Sequence, residues 1–153
     1  MKIRLAQEED KAGIKKILNS IELFPAELLD GMMHPYLTES DCQDIWFTAV
    51  NDGEILAFGY CAPEMLTEGT YNLYAIGILN EQQGLGIGTQ MMTFLESKLL
   101  EKKQRILIIE TSGIESFNST RKFYEKLNFT REATIRDFWD EGDDKVIYWK
   151  KLV

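Results

Sequence analysis

The sequence predicts a mixed α/β fold in which mostly antiparallel strands surround one parallel crossover. Three features support this prediction. Short β-rich runs alternate with apolar stripes at helical spacing, polar turns join two pairs of these runs, and a glycine-rich turn links one strand to a helix and then to a buried strand. The 153 residues suit one domain with its own core, so we expect residues 1–153 to form a single domain.

The first part of the chain is predicted to be a strand followed by helical segments. Residues 2–6, KIRLA, favour a strand. The next segment carries an apolar stripe typical of one helix face, formed by Ile14, Ile17, Leu18 and Ile21. Residues 24–44 contain Pro25, Gly31 and Pro35, which indicate one or two short helices interrupted by turns.

A hairpin and a further strand are predicted next. Two β-rich runs, DIWFTAV and EILAFGYCA, flank the turn residues Asn51, Asp52 and Gly53. Such runs around a turn of this composition are typical of an antiparallel hairpin. The run TYNLYAIGIL then favours another strand.

The rest of the chain begins with a β, glycine turn, α, β unit. The glycine turn leads into a helix with the apolar stripe Ile87, Met91, Phe94, Leu95 and Leu99. The run RILIIET is then short and apolar enough for a central buried strand. A last helix is predicted from the stripe Phe117, Thr120, Phe123, Tyr124 and Leu127. NFTREATIRDF and KVIYWKKL can pair as a hairpin across the polar turn DEGDD.

Composition argues against several classes of partner and site. The chain has 25 acidic and 17 basic residues, a net charge of −8 and no basic stripe, so nucleic acid is not an expected partner. No signal peptide or membrane-spanning segment is recognisable, so we expect a cytoplasmic protein with no membrane association. Cys42, Cys61 and the single histidine, His34, show no metal-ligand spacing, so we expect free thiols and no metal.

The glycine turn is the first chemical signal. Gly84, Gly86 and Gly88 precede a predicted helix, and a glycine-rich turn there offers unpaired amides and the positive end of the helix dipole to a phosphate. The dinucleotide fingerprint would need a third glycine where Thr89 stands, and the GK[ST] of nucleotide triphosphate loops is absent. The remaining pattern is QxxGxG, beginning at Gln83. A turn that serves only tight packing is the alternative.

Two segments carry a resemblance to a known family. YAIGILNEQQGLGIGTQMM contains the QxxGxG pattern, and NSTRKFYEKLNF follows further along the chain. Together they resemble the two main motifs of the GNAT superfamily of N-acetyltransferases, and the order of elements is similar over nearly the whole chain. The resemblance implies a GNAT-like, mixed and mostly antiparallel sheet of six to seven strands, with about four helices and a splayed central strand pair.

The resemblance implies a coenzyme A site around the glycine turn. Backbone amides would hold the pyrophosphate along Gln83, Gly84, Leu85, Gly86, Ile87, Gly88 and Thr89. A bulge at Gly77 would splay its strand from RILIIET and leave main-chain groups of Ile76 and Ile78 to pair with the pantetheine arm. Asn118 would bond the same arm. Its spacing also fits the alternative of a residue that caps a helix N-terminus.

The implied reaction is direct attack of a neutral primary amine on the thioester of acetyl-CoA in a ternary complex, without a metal. Tyr124 would contact the coenzyme and supply or share a proton with the leaving thiolate, the alternative being a core aromatic. Many family members carry a glutamate in the strand before the glycine turn, but the matching residue is Asn72, which cannot accept a proton. Glu110 is then the candidate base, with a solvated or ion-paired carboxylate, or a water relay, as alternatives.

The acceptor is expected to be a small-molecule or peptide amine, and the acidic net charge favours a small cationic or polar one. The last hairpin could attract it through five carboxylates, Asp137, Asp140, Glu141, Asp143 and Asp144, unless they form only a solvated turn. A non-catalytic acyl-CoA-binding regulatory or interaction domain is the second hypothesis, because the usual glutamate is missing. A monomer and a homodimer are both compatible with the sequence.

Overall fold

The computed structural model describes residues 1–153 and contains seven strands and four α-helices. The strands are Lys2–Leu5 (β1), Ile45–Asn51 (β2), Glu54–Pro63 (β3), Thr70–Ile78 (β4), Ile106–Ser112 (β5), Thr130–Asp140 (β6) and Asp143–Lys151 (β7). The helices are Lys11–Ser20 (α1), Leu29–Thr38 (α2), Ile87–Glu101 (α3) and Asn118–Lys126 (α4). The strands form one sheet in the order β1-β2-β3-β4-β5-β7-β6. This mixed, mostly antiparallel sheet with four helices confirms the predicted fold class.

The chain divides into two compact units. The first unit comprises Met1–Ala62 and Tyr74–Lys98, and the second comprises Pro63–Leu73 and Leu99–Val153. The strand β4 therefore contributes its first residues to the second unit and its last residues to the first unit. The expectation of a single domain stays a prediction. None of the four α-helices has the length and apolar composition of a membrane-spanning helix.

The first unit is built on the predicted hairpin. The strands β2 and β3 are antiparallel from Ile45 opposite Cys61 to Asn51 opposite Glu54. The turn residues Asp52 and Gly53 have φ of 48° and 80°, the left-handed region typical of a two-residue hairpin turn. The helix α1 buries three residues of its predicted stripe, Ile14, Ile17 and Leu18. The hairpin and the helix face are thus confirmed.

The segment 24–44 contains one short α-helix, as predicted, but its glycine and proline do not interrupt it. A short 3-10 turn leads directly into α2, which continues through Gly31 and Pro35 without a break. Leu29 and Met33 of this helix are fully buried. Burial of these side chains helps to offset the cost of a glycine and a proline within the helix.

The strand β5 lies at the centre of the second unit's sheet. It pairs in parallel with β4, Thr70–Leu73 against Ile106–Ile109, and antiparallel with β7 along its whole length. Because paired residues project to the same side of a sheet, one face, the Asn72 face, carries Asn72, Ile108, Glu110, Ile147 and Trp149. The opposite face, the Tyr148 face, carries Tyr71, Leu73, Leu107, Ile109, Val146 and Tyr148. The predicted splay of the central pair stays a prediction.

The helix α4 packs on the Tyr148 face. The ring of Tyr124 lies 5.8 Å from that of Tyr148 and 6.1 Å from that of Phe129, measured between centroids. Tyr124 is the buried residue of this helix, whereas the rest of its predicted apolar stripe is only half-buried. The side chain of Arg121 anchors the first turn by donating to Ser112 O at 2.7 Å. The helix therefore holds Tyr124 in a fixed place.

Candidate active site

The glycine turn lies between a short 3-10 turn, Asn80–Gln82, and the start of α3. Gly84 and Gly86 have φ of +78° and +87°, and a Cβ at either position would meet no atom within 4 Å. Left-handed backbone of this kind strongly favours glycine. Backbone conformation, rather than tight packing, therefore explains these two glycines.

The amides of the turn form a row of unused donors. Six consecutive N–H groups, Gly84 to Thr89, donate no hydrogen bond within the protein. The amide of Gln90 is the first to join the helix, donating to Gly86 O at 3.2 Å. Unpaired amides at the positive end of a 15-residue helix are suited to bind an anion such as a phosphate.

Gln83 differs from the other predicted turn residues. Its amide donates to Asn80 O at 3.3 Å, and its side-chain Nε2 donates to Ile78 O at 3.1 Å. Gln83 therefore shapes the turn through its own hydrogen bonds instead of adding a free amide. The same contact occupies the carbonyl of Ile78, one of the main-chain groups expected to pair with the pantetheine arm.

Two contacts at the end of β4 support the bulge predicted at Gly77, which stays a prediction. Tyr74 stacks on Tyr60 of β3, with centroids 5.6 Å apart. A Cβ on Gly77 would lie 2.8 Å from the ring of Phe58, which projects from the same face of β3 as Tyr60. Two residues of β4 that are three positions apart thus contact one face, whereas regular strands alternate with period two. This shift is what a β-bulge produces.

Tyr124 combines a buried ring with an unused hydroxyl. The residue is 3% exposed, and burial raises the pKa of its hydroxyl well above the usual range. The hydroxyl forms no hydrogen bond in the protein. The atoms that are both fully buried and unpartnered are Trp46 Nε1 and Asn72 Oδ1, so the Tyr124 hydroxyl keeps some access to solvent. It is a neutral donor near the surface of an aromatic cluster.

Asn118 does not cap α4. It is the first helical residue, the N-cap is Phe117, and no side-chain cap hydrogen bond is present. The side chain of Asn118 forms no hydrogen bond in the protein. The capping alternative is therefore wrong, and the predicted contact with the coenzyme stays a prediction.

Glu110 is ion-paired. Its carboxylate Oε2 lies 2.7 Å from Lys145 Nζ, and the Glu110 side chain is 22% exposed. The ammonium of Lys145 also lies 4.1 Å from the centroid of the Phe138 ring, a cation–π contact. The ion-paired alternative is thus confirmed. Glu110 lies on the Asn72 face and Tyr124 on the opposite face, so the structure does not place these two candidate residues beside each other.

The sequence did not single out Glu64, whose carboxylate lies against the expected position of the family's glutamate. Asn72 is fully buried, and its Nδ2 donates to Glu64 Oε1 at 2.7 Å. The turn between β3 and β4 fixes Glu64 through its amide, which donates to Thr70 O at 2.9 Å. The contact between Glu64 and Asn72 could have been predicted only from the register of this hairpin.

The acidic turn of the last hairpin is partly occupied with its own backbone. The amide of Gly142 donates to Asp137 Oδ1 at 2.9 Å, and that of Asp137 donates to Asp144 Oδ1 at 3.0 Å. Asp143 accepts a hydrogen bond from the Ser112 hydroxyl at 2.5 Å. The turn is thus ordered by its carboxylates, while Asp140 and Glu141 remain exposed.

Comparison with known proteins gave one family and several similar structures. The profile of a family described as "Acetyltransferase (GNAT) domain" matches residues 42–131. A protein described as a GNAT-family acetyltransferase from Desulfovibrio desulfuricans is 27% identical over 99% of each chain, with a TM-score of 0.92. No curated protein matches the sequence.

Two further structures share the fold at lower identity. The ribosomal-protein-S18-alanine N-acetyltransferase of Escherichia coli is 17% identical, with a TM-score of 0.80, and the match covers 99% of this chain and 93% of that one. An aminoglycoside 6'-N-acetyltransferase complexed with coenzyme A is 16% identical, with a TM-score of 0.79, over 100% of this chain and 98% of that one.

Proposed function

Because the chain belongs to the GNAT acetyltransferase family, we propose that it transfers the acetyl group of acetyl-CoA to a primary amine. The observation that carries this proposal is the row of six unpaired amides from Gly84 to Thr89 at the start of α3. A diphosphate needs several donors that approach without side chains in between, and this turn supplies them. Family membership supports coenzyme A as the diphosphate ligand.

The amides are especially important because the protein repels anions at long range. The net charge is −8, and the segment from Leu79 to Glu96 contains no lysine or arginine. We propose that the Gly84–Thr89 amides, together with the dipole of α3, provide the favourable interaction with the pyrophosphate. Main-chain groups of Ile76, Gly77 and Ile78, and the side chain of Asn118, would bind the pantetheine arm.

The reaction requires a neutral amine and a leaving thiolate. The amine nitrogen forms a bond to the acetyl carbonyl carbon, the carbon–sulfur bond breaks, and the thiolate of coenzyme A takes a proton. We propose that the Tyr124 hydroxyl donates a hydrogen bond to that thiolate. Burial raises the pKa of this hydroxyl, so Tyr124 stays protonated and stabilises the developing charge by hydrogen bonding more than by full proton transfer.

Glu110 is the base that the sequence proposes. In the structure its carboxylate would have to release Lys145, 2.7 Å away, before it took a proton, and this would leave a partly buried ammonium unpaired. Glu110→Gln tests the proposal. If Glu110 is the base, kcat falls about 100-fold or more. If it is only an ion-pair partner, kcat changes little and stability falls by about 1–3 kcal/mol.

We propose a small cationic or polar amine, or a peptide amine, as the acceptor. Two structural neighbours are described as acting on an alanine of a ribosomal protein and on an aminoglycoside, so both classes belong in a test. The exposed carboxylates of Asp140 and Glu141 support a cationic acceptor by attraction at a distance.

A thiol-release assay tests the proposed function. Acetyl-CoA is incubated with the protein and with kanamycin, spermidine, lysine or a peptide that begins with alanine, and free thiol is measured over time. An enzyme releases thiol faster with at least one amine than without any. Coenzyme A binding is measured separately by calorimetry.

A non-catalytic acyl-CoA-binding domain is the second candidate, and Asn72 at the usual glutamate position favours it. Such a domain binds coenzyme A in calorimetry but releases no thiol with any amine. Failure of both binding and thiol release would contradict both candidates.

A further inference from the structure

We propose that Glu64, held by Asn72, accepts the proton that the acceptor amine loses. This inference rests on the proposed acetyl transfer and adds the residue that the sequence did not supply. It places the base in the turn that precedes β4, whereas many family members carry a glutamate in the strand itself. Asn72 becomes a positioning residue that acts through Glu64.

The geometry of the pair supports this assignment. Asn72 Nδ2 donates to Glu64 Oε1 at 2.7 Å, a short bond typical of a charged acceptor. The backbone of Glu64 is fixed on both sides: its amide donates to Thr70 O at 2.9 Å, and its carbonyl accepts from the Thr67 hydroxyl at 2.9 Å. A carboxylate fixed in this way needs little reorganisation when it takes a proton.

The burial of Asn72 is difficult to explain as a structural feature. Asn72 is fully buried, yet its Oδ1 has no hydrogen-bond partner. An unsatisfied buried oxygen destabilises the folded protein, and a leucine of similar volume would avoid this cost. The one hydrogen bond that the Asn72 side chain makes is to Glu64. The position of Glu64 is thus the only visible gain from a buried amide at this site.

The sheet places this pair on the side opposite Tyr124. Asn72 lies on the Asn72 face, opposite Ile108 of β5, whereas Tyr124 packs on Tyr148 across the sheet. The amine nitrogen and the sulfur are bonded to the same carbon in the transition state, so Glu64 and Tyr124 can act together only where the predicted splay of β4 and β5 opens the sheet between its two faces.

The proton balance is simple. An acceptor that arrives as an ammonium loses two protons when it becomes an amide. Glu64 takes one and passes it to water, and the other ends on the thiolate of coenzyme A. The overall reaction is ammonium plus acetyl-CoA to amide, coenzyme A thiol and one proton, so no further reactant is needed.

Glu64→Gln is the first test, measured with the best amine of the thiol-release panel. We expect kcat to fall about 100-fold or more while the calorimetric Kd of coenzyme A stays within twofold. Glu68→Gln is the matched control, because Glu68 lies exposed in the same turn and should keep full activity. If Glu64→Gln keeps more than half of the wild-type kcat, Glu64 is not the base.

Two further variants separate a chemical role from a structural one. We expect added formate to restore turnover to Glu64→Ala, because a small carboxylate can occupy the space of the missing one, and to leave Glu64→Gln unchanged. We expect Asn72→Leu to lower kcat about tenfold or more without lowering the unfolding temperature, since it removes the unsatisfied oxygen. Loss of stability without loss of kcat in Asn72→Leu, or no rescue by formate, would overturn the proposal.

The outcomes also distinguish this inference from the proposed function. If the wild-type protein releases no thiol with any amine, acetyl transfer itself fails. If it releases thiol and Glu110→Gln, rather than Glu64→Gln, abolishes the release, acetyl transfer stands and the base is Glu110.

Discussion

At the scale of single residues, the main contrast is between two tyrosines of one aromatic cluster. Tyr124 has an unused hydroxyl, whereas the Tyr148 hydroxyl donates to Glu125 Oε2 at 2.6 Å. Burial, followed by this hydrogen bond and the charge of Glu125, raises the pKa of Tyr148 to about 12. Both side chains are therefore neutral at physiological pH, and only the Tyr124 hydroxyl is available to a ligand.

We expect Tyr124→Phe to lower kcat about 10- to 100-fold, because a hydrogen bond to a charged group contributes about 1.5–3 kcal/mol. The calorimetric Kd of coenzyme A should stay within about twofold. Tyr148→Phe is the matched control: it leaves Glu125 without its donor and should lower stability while kcat is unchanged. If Tyr124→Phe and the wild type have equal kcat, the Tyr124 hydroxyl has no part in the reaction and the residue serves only packing.

Asp10 shows how a buried carboxylate supports the first unit. The side chain is almost fully buried, and it accepts hydrogen bonds from Arg4 Nη1 at 2.7 Å and from the Gln7 amide at 2.8 Å. Burial alone would raise the pKa of Asp10, but the hydrogen bonds from Arg4 and Gln7 outweigh it and hold the pKa below its usual value. The charged form is thus favoured in the folded protein.

We expect Asp10→Asn to lower the free energy of unfolding by about 1–3 kcal/mol at pH 7. Because the folded pKa lies below the unfolded one, this contribution is complete above the unfolded value, about 3.9, and is lost as pH falls through the folded value. Urea unfolding at pH 7 and pH 3 measures both. A difference between variant and wild type that grows on acidification would contradict the depressed pKa.

At the scale of elements, the glycine turn can be tested without disturbing packing. Leu85 is 65% exposed and lies among the unpaired amides. We expect Leu85→Glu to weaken coenzyme A binding about five- to tenfold, since an added charge near a diphosphate costs about 1 kcal/mol in a well-solvated site. Leu85→Gln should bind as the wild type does. Equal Kd values for the two variants would place the pyrophosphate elsewhere.

The glycines of β4 and α2 differ in the space that is available for a side chain. A Cβ on Gly77 would lie 2.8 Å from both Ile21 and Phe58, whereas a Cβ on Gly31 would meet no atom within 4 Å. We expect Gly77→Ala to destabilise the fold by about 1–3 kcal/mol through overpacking. Gly31→Ala should stabilise it by about 0.5–1 kcal/mol through helix propensity. Thermal unfolding of both variants measures this, and a stable Gly77→Ala would contradict the close packing of β4.

At the scale of the whole molecule, we expect the net charge to favour a cationic acceptor. The net charge is −8. We expect kcat/KM for a cationic amine to fall about three- to tenfold as ionic strength rises from about 0.01 M to about 0.1 M. The reason is that the screening length shrinks from about 30 Å to about 10 Å over this range. A zwitterionic amino acid should show little change. Asp140→Asn with Glu141→Gln should reduce the salt dependence. A flat response with spermidine would contradict electrostatic attraction of the acceptor.

The order of elements and the glycine turn could be predicted from the sequence because their signals are local. Short stretches of sequence predict the positive φ of Gly84 and Gly86 and the hairpin turn at Asp52–Gly53. The continuity of α2 through Pro35 could not be predicted in this way, because it depends on which of its side chains are buried in the fold.

The partners of the carboxylates were less predictable, because they also depend on the fold and not on neighbouring residues. The Glu110–Lys145 pair joins two strands that are far apart in sequence, and the contact of Glu64 with Asn72 depends on the register of one hairpin. A shift of one residue in either register would move these side chains to the other face. Residue types alone therefore indicate candidate acids and bases but not their partners.

The row of unpaired amides also allows ligand binding to be detected by hydrogen exchange. Amides that lack a hydrogen bond exchange their protons with water rapidly, whereas amides that donate to a bound ligand exchange slowly. Hydrogen exchange followed by mass spectrometry should therefore show one peptide, covering Gly84 to Thr89, that is labelled at once in the free protein and protected when coenzyme A is added. Because this protection needs no amine, the choice of acyl group can be surveyed before any acceptor is known.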